Sequence, residues 1–199
     1  VQRAALIIIA GLALAGCKGK GHARVDGVLV PQARSHVDVP DGPTLHIPGD
    51  DLTTLPDAPV IKIAAERKTP WADVKQLIER IEAAGKQAVP LIGDRDDVHA
   101  FVLSDPVEGP TIEVTATPDG KVCVSPPGNP EAKCAQTMSK KHVDRAHTRR
   151  LVREAVRGYK LFEADLEVQG EMEWADVVRA VDGTRTCCLE DRIAVKLNR

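Results

Sequence analysis

Trp71-Ala72-Asp73-Val74 and Trp174-Ala175-Asp176-Val177 are one tetrapeptide written twice, 103 residues apart. The first copy follows an apolar stretch, Val60-Ile61-Lys62-Ile63-Ala64, and opens a run in which Val74, Leu77, Ile78 and Ile81 recur at helical spacing. The second follows Leu166 to Val168 and opens a second helix ending near Thr184. Each predicted helix leads to another apolar strand, Val89 to Ile92 and Ile193 to Val195. An internal duplication accounts for this order. The tetrapeptide itself has a structural reading: tryptophan covers the strand end, aspartate complements the positive end of the helix dipole, and valine continues the buried stripe. Trp71, Asp73, Trp174 and Asp176 are therefore read as a repeat motif without chemistry of their own.

Working outward, Thr69-Pro70 reads as the start of the first helix, with threonine as cap, and Ala84-Gly85 as its end. His36 to Val39 and Thr44 to Ile47, separated by Pro40-Asp41-Gly42, predict a hairpin. Residues 49–57 offer only a loop. In the second half Thr111 to Thr115 alternates apolar and polar, Pro118-Asp119-Gly120 marks a turn, and Lys121 to Val124 returns. Asp144 to Arg157 predicts a long helix stopped by Gly158, and Ser104 to Pro110 a linker between the halves.

The first residues carry a different signal. Arg3 precedes an apolar run from Ala4 to Ala15, closed by Leu14-Ala15-Gly16-Cys17. A charged start, a short apolar stretch and small residues before a cleavage point read as a secretory signal. The cysteine makes it resemble a bacterial lipoprotein signal over 1–16, with Cys17 lipidated and 17–27 as a tether. The run is too short to span a bilayer, which takes about 20 apolar residues. The expected place is the cell envelope, lipid-anchored and facing the periplasm. Lys18 after the cysteine resembles outer-membrane sorting.

Composition excludes several classes. A net charge of −2 gives no basic footprint for nucleic acid, and 3% aromatic residues leave little for a base- or sugar-stacking surface. Cys123, Cys134, Cys187 and Cys188 are an even set in an oxidising compartment and predict disulfides. Crossed or single bridges to Cys123 or Cys134 are favoured, because the neighbours Cys187 and Cys188 pair poorly, but four cysteines allow three full connectivities and the sequence does not choose among them. A zinc site on the four is the alternative, although the spacing is not that of paired Cys-x-x-Cys knuckles. His36 and His46 are read as facing each other across the hairpin. Asp94, Asp96 and Asp97 around Arg95 read as a solvated turn. There is no Gly-x-Ser-x-Gly and no phosphate-cradling loop, so no enzyme and no cofactor is expected. Arg145, Arg149, Arg150, Arg153 and Arg157 make one helix strongly basic. That face is either simply solvated or in contact with anionic cell-wall polymer or phospholipid.

The strand feeding Trp174 to Asp182, the helix end at Ala84-Gly85 and the entry Val30-Pro31-Gln32-Ala33 together resemble the periplasmic domain of the ExbD/TolR biopolymer-transport family. The resemblance covers Thr111 to Leu197 and, more loosely, Leu29 to Ile92. It implies an α+β fold of two units, 28–104 and 111–199, each a small mixed sheet with helices on one face, the first abbreviated. It also implies a non-enzymatic binding or scaffolding role in the envelope. ExbB/TolQ-like or TonB-like proteins, or peptidoglycan, would be its partners, and the two units would form an internal pseudo-dimer or the chain a homodimer. The family's membrane helix with its proton-pathway aspartate has no counterpart here. The alternative function is a stand-alone ligand- or metal-binding lipoprotein using the four cysteines.

Overall fold

A computed structural model describes residues 22–128, 132–136, 141–168, 170–186 and 192–198. The fold is α+β. In the first half β3 (Thr44–Ile47), β4 (Val60–Ala65), β5 (Gln87–Asp94) and β6 (Asp97–Ala100) form a sheet in the order β3-β4-β5-β6. The first three strands are parallel and β6 returns antiparallel. The parallel step from β4 to β5 requires a crossover, which α1 (Trp71–Ala83) supplies. One face of α1 is apolar, and Val74, Leu77, Ile78 and Ile81 are buried with Ile61 and Ile63 in one core. At its end the Gly85 and Lys86 N–H groups reach the carbonyls of Glu82 and Ile81, with Gly85 at φ 72°. This is the cap expected of Ala-Gly.

The opposite face of this sheet is also covered. Strands β1 (Arg24–Val25) and β2 (Val28–Leu29) form a small hairpin, and Ala23 and Val30 pack with Ala64 and Leu91 in a second, smaller cluster. The range 17–27 was read as a tether; from residue 22 onward it holds this folded hairpin, with Ala23 buried.

The second half contains β7 (Ile112–Ala116), β8 (Lys121–Ser125), β9 (Lys133–Gln136), α2 (Arg145–Tyr159), β10 (Glu163–Val168), α3 (Trp174–Arg185) and β11 (Ala194–Asn198). The sheet order is β11-β10-β7-β8-β9, with β10 parallel to both its neighbours and β7-β8-β9 antiparallel. Strand alternation is strict. Ile112, Val114, Val122, Val124, Ala164, Leu166, Val195 and Leu197 are buried, and the residues between them are exposed or half-buried. Helix α3 carries the crossover from β10 to β11, and all of its residues but Arg179 are buried. It lies closely against α2: a Cβ added at Gly183 would come within 2.9 Å of the Thr148 side chain and 3.0 Å of the Arg145 carbonyl oxygen.

Four local expectations are corrected. The hairpin over 36–47 does not form: β3 pairs parallel with β4, and Val37 instead exchanges N–H···O bonds with Ala100 at 3.0 and 3.1 Å. His36 consequently stacks on His99, ring centroids 3.8 Å apart, and not on His46, whose ring nitrogens face Asp50 and Asp26. Thr69 does not cap α1; Pro70 holds the N-cap position, and the Thr69 carbonyl is turned to the other half of the molecule. Helix α2 runs through Gly158 and stops at Lys160, which takes the left-handed conformation at φ 55°.

The halves meet where the tetrapeptides start. Trp71 N–H donates to the Met172 carbonyl at 2.7 Å, and Trp174 N–H donates to the Thr69 carbonyl at 2.8 Å. Pro70 and Glu173 sit opposite each other as an antiparallel bridge between these bonds. The two indoles stack, 5.7 Å apart and 13° from parallel, and both are 1% exposed. Apolar residues of both halves thereby join one core.

Candidate groove and the ties around it

Beside β5 lies a groove of about 440 Å³. Its origin is a mismatch of strand lengths. β6 pairs with Leu91 to Asp94 only, and one last bond, Phe101 N–H to the Pro90 carbonyl at 2.8 Å, closes the ladder. Beyond it the chain turns away, while β5 continues back to Gln87. The Gln87 N–H is given to Pro59, on the β4 side. By the alternation of a strand, the Ala88 N–H and carbonyl point to the side that β6 has left. The floor is Ile78, Val89, Phe101 and Leu103, the far wall is Val37 and Pro40, and Asp38 and Glu82 stand at the rim. Val37 and Val39 are among the few large apolar side chains left exposed.

Phe101 is held from behind. Arg185, at the end of α3 and 1% exposed, lies over its ring with the guanidinium carbon 5.7 Å from the centroid. The same guanidinium donates to Asp105 through Nε and Nη2 at 3.0 and 2.8 Å and to the Val102 carbonyl at 2.7 Å. Burial pushes Arg185 below its ordinary pKa, and the Asp105 charge and hydrogen bonds pull it back. Asp105 also accepts from Val195 N–H, and Ser104 Oγ from Leu197 N–H. The stretch read as a linker is thus laced along β11.

Two carboxylates of α3 perform similar tying. Asp182 is completely buried; it accepts from the N–H groups of Arg34 and Ser35 at 3.1 and 2.7 Å and from Arg145 Nη1 at 3.0 Å. It joins the first half, α2 and α3 at one oxygen pair. Asp176 accepts from Val143 N–H at 3.0 Å and Arg179 Nη1 at 2.6 Å, and faces His142 Nδ1 at 3.0 Å. Glu173 completes a group of three ligand-type side chains lying within 4.8 Å of one another. Oδ1 of Asp176 takes the Val143 and Arg179 donors while Oδ2 faces His142, so Asp176 ties the segment ahead of α2 to α3.

The sequence-selected residues fall as follows. Trp71 and Trp174 come together in the seam. Asp73 is exposed in the first turn of α1, as the helix-dipole reading required, whereas its counterpart Asp176 is buried. Cys123 and Cys134 are directly opposite on β8 and β9 and form a disulfide, with an S–S distance of 2.09 Å. The sequence predicts a disulfide with its connectivity open and bridges from Cys187 or Cys188 favoured; register brings Cys123 and Cys134 face to face, and as a disulfide they offer no thiolates to a metal. Cys17, Cys187 and Cys188 lie outside the described residues. Asp182, Arg185 and Asp105 went unnoticed in the sequence. The available signal was a charged residue in register with the apolar stripe of α3, at Asp182 after Val178 and Val181.

No protein-family model, no curated protein and no solved structure matches this chain. Among the described residues, no helix is long and apolar enough to cross a membrane.

Proposed function

We propose that the chain is a lipid-anchored, non-enzymatic binding module of the cell envelope, built from two related units paired as an internal pseudo-dimer. The observation that carries this reading is the reciprocity of the seam. The 103-residue offset that maps Trp71 onto Trp174 also maps Thr69 onto Met172 and Pro70 onto Glu173. The two inter-half bonds, Trp71 to Met172 and Trp174 to Thr69, therefore exchange under the repeat. Self-complementary exchange of this kind is the mark of a two-fold contact between like units. The strand frames agree with it: β3-β4-α1-β5 and β7-β10-α3-β11 each place three parallel strands side by side with the helix in the last crossover.

The resemblance to the ExbD/TolR periplasmic domain supports a scaffolding role near a biopolymer-transport or envelope-integrity system, without a proton pathway of its own. The groove beside Ala88 is the face through which such a module takes a partner. Anchoring rests on the Leu14-to-Cys17 pattern.

Light scattering on the protein tests the internal pairing. A single-chain mass is expected, since the seam already occupies the face that a second copy would use; an obligate dimer overturns it. Labelled palmitate, incorporated in the wild-type chain and lost in Cys17→Ala, is the expected result for the anchor; undiminished label removes it.

A further inference from the structure

The proposed function leaves one strongly patterned surface unused, the outer face of α2. The helix carries Arg145, Arg149, Arg150, Arg153 and Arg157 against one acid, Glu154, in a chain whose net charge is −2. Thr148, Leu151, Val152 and Val156 face the core. At about 100° per residue, Arg149, Arg153, Arg157 and Arg150 fall within one arc of roughly 100° that begins beside Val156 and runs to the outer side, where Arg150 and Arg157 are exposed. Arg145 is spent on Asp182, but Arg149, Arg150 and Arg157 form no ion pair among the described residues.

A second observation points to the ligand. The chain has five Trp, Tyr and Phe residues in all. Trp71, Trp174 and Phe101 are buried, whereas Tyr159 and Phe162 are 49% and 52% exposed. Both exposed rings flank Lys160 and its left-handed turn at the C-terminal end of this helix: Tyr159 lies on the side of Leu151 and Ala155, toward Val124 and Lys133, and Phe162 follows the turn. An exposed aromatic ring at the end of a cationic helix fits a lipid–water boundary, where rings enter the headgroup level while arginine meets phosphate.

We infer that the basic face of α2 docks on an anionic phospholipid bilayer, with Phe162 beyond the end of the helix. The contact is electrostatic and reversible, each basic residue near an anionic surface being worth roughly fivefold in affinity. It stands independently of lipidation at Cys17, and it would lay the second half of the molecule against the membrane.

The test is co-sedimentation of the whole chain with vesicles of phosphatidylcholine alone and of phosphatidylcholine mixed with phosphatidylglycerol. The apolar run at 4–15 contributes to both, so the difference between the two vesicles isolates the charge-dependent contact. The wild-type chain should prefer the anionic vesicles, and the preference should shrink as salt rises. Arg150→Gln combined with Arg157→Gln, both exposed positions, should reduce the preference by roughly 10- to 30-fold, two basic residues' worth. Phe162→Ser should weaken binding to anionic vesicles while leaving the salt dependence in place. Equal binding to both vesicles, or a preference unchanged by the double substitution, overturns the proposal. So does tighter capture by a soluble anionic polysaccharide that competes the chain off phosphatidylglycerol. The salt titration of the wild-type chain stands even if a variant folds poorly.

Discussion

Asp73 and Asp176 occupy the same place in the same four letters, yet one is in water and the other is 4% exposed. What separates them is what arrives from elsewhere: Val143 and His142 come down on the second copy, and among the described residues nothing comparable meets the first. Burial of a carboxylate is tolerable only when its lone pairs are filled, and Asp182 carries the same logic to completion. Removing its side chain leaves the Arg34 and Ser35 N–H groups and the Arg145 guanidinium without their acceptor. Asp182→Ala should therefore cost about 3–5 kcal/mol, the range for breaking a buried charge pair, and Asp182→Asn less, because an amide oxygen still accepts from the two N–H groups. Urea denaturation of the three proteins measures this; an alanine variant within about 1 kcal/mol of wild type would show the tie to be dispensable. Asp182 is legible as an acid in register with the apolar stripe of α3, but its partners are not, because they lie 148, 147 and 37 positions away.

Elements whose signals are local were readable, and those whose partners are distant were not. Helix α1 announced itself by period and by the Gly85 cap, and the β7–β8 hairpin by its turn. Thr44 to Ile47 alternates as well as any strand here, but alternation says nothing of direction, and each β3 residue took a parallel partner 18 positions further along. The cysteines obeyed the same rule: Cys123 pairs with the residue opposite it, a matter of register between β8 and β9. At α2 the local signal is strong enough to predict from. Asp144 accepts from the N–H groups of Ala146 and His147 at 2.7 and 3.3 Å, a full N-cap. Partial burial acts to raise its pKa, but the His147 side chain and the two N–H groups outweigh that and hold it below the ordinary value. A carboxylate depressed in the folded state stabilises above its unfolded pKa, about 3.9, and that stability is lost as the pH falls through the lower folded value. Asp144→Ala should cost about 1 kcal/mol at neutral pH, and the gap to wild type should narrow steadily below about pH 4. Thermal melts of both proteins across that range decide it; a gap that stays constant or widens in acid would mean that the charge of Asp144 contributes nothing.

At the scale of the whole molecule the halves are not beads on a string. Trp71 and Trp174 close a single core, Asp182 holds the Arg34-Ser35 stretch of the first half, and Arg185 fixes Asp105 alongside β11. The crossing is made chiefly by α3, which explains a helix buried at every position but Arg179, its charged members Asp176, Asp182 and Arg185 included. Shared burial of this extent predicts that neither half unfolds alone. Because both tryptophans of the chain sit in the seam, their fluorescence reports only the junction, while far-ultraviolet circular dichroism reports all helices and strands. The two signals should give the same midpoint in urea. Trp71→Ala and Trp174→Ala should each cost about 3–5 kcal/mol. The double variant should cost less than their sum by about 0.5–1.5 kcal/mol, the coupling expected of a stacked aromatic pair. A fluorescence transition that precedes the dichroism transition, together with strictly additive tryptophan losses, would instead describe two independent cores touching at an indifferent surface, and the pseudo-dimer would lose its physical basis.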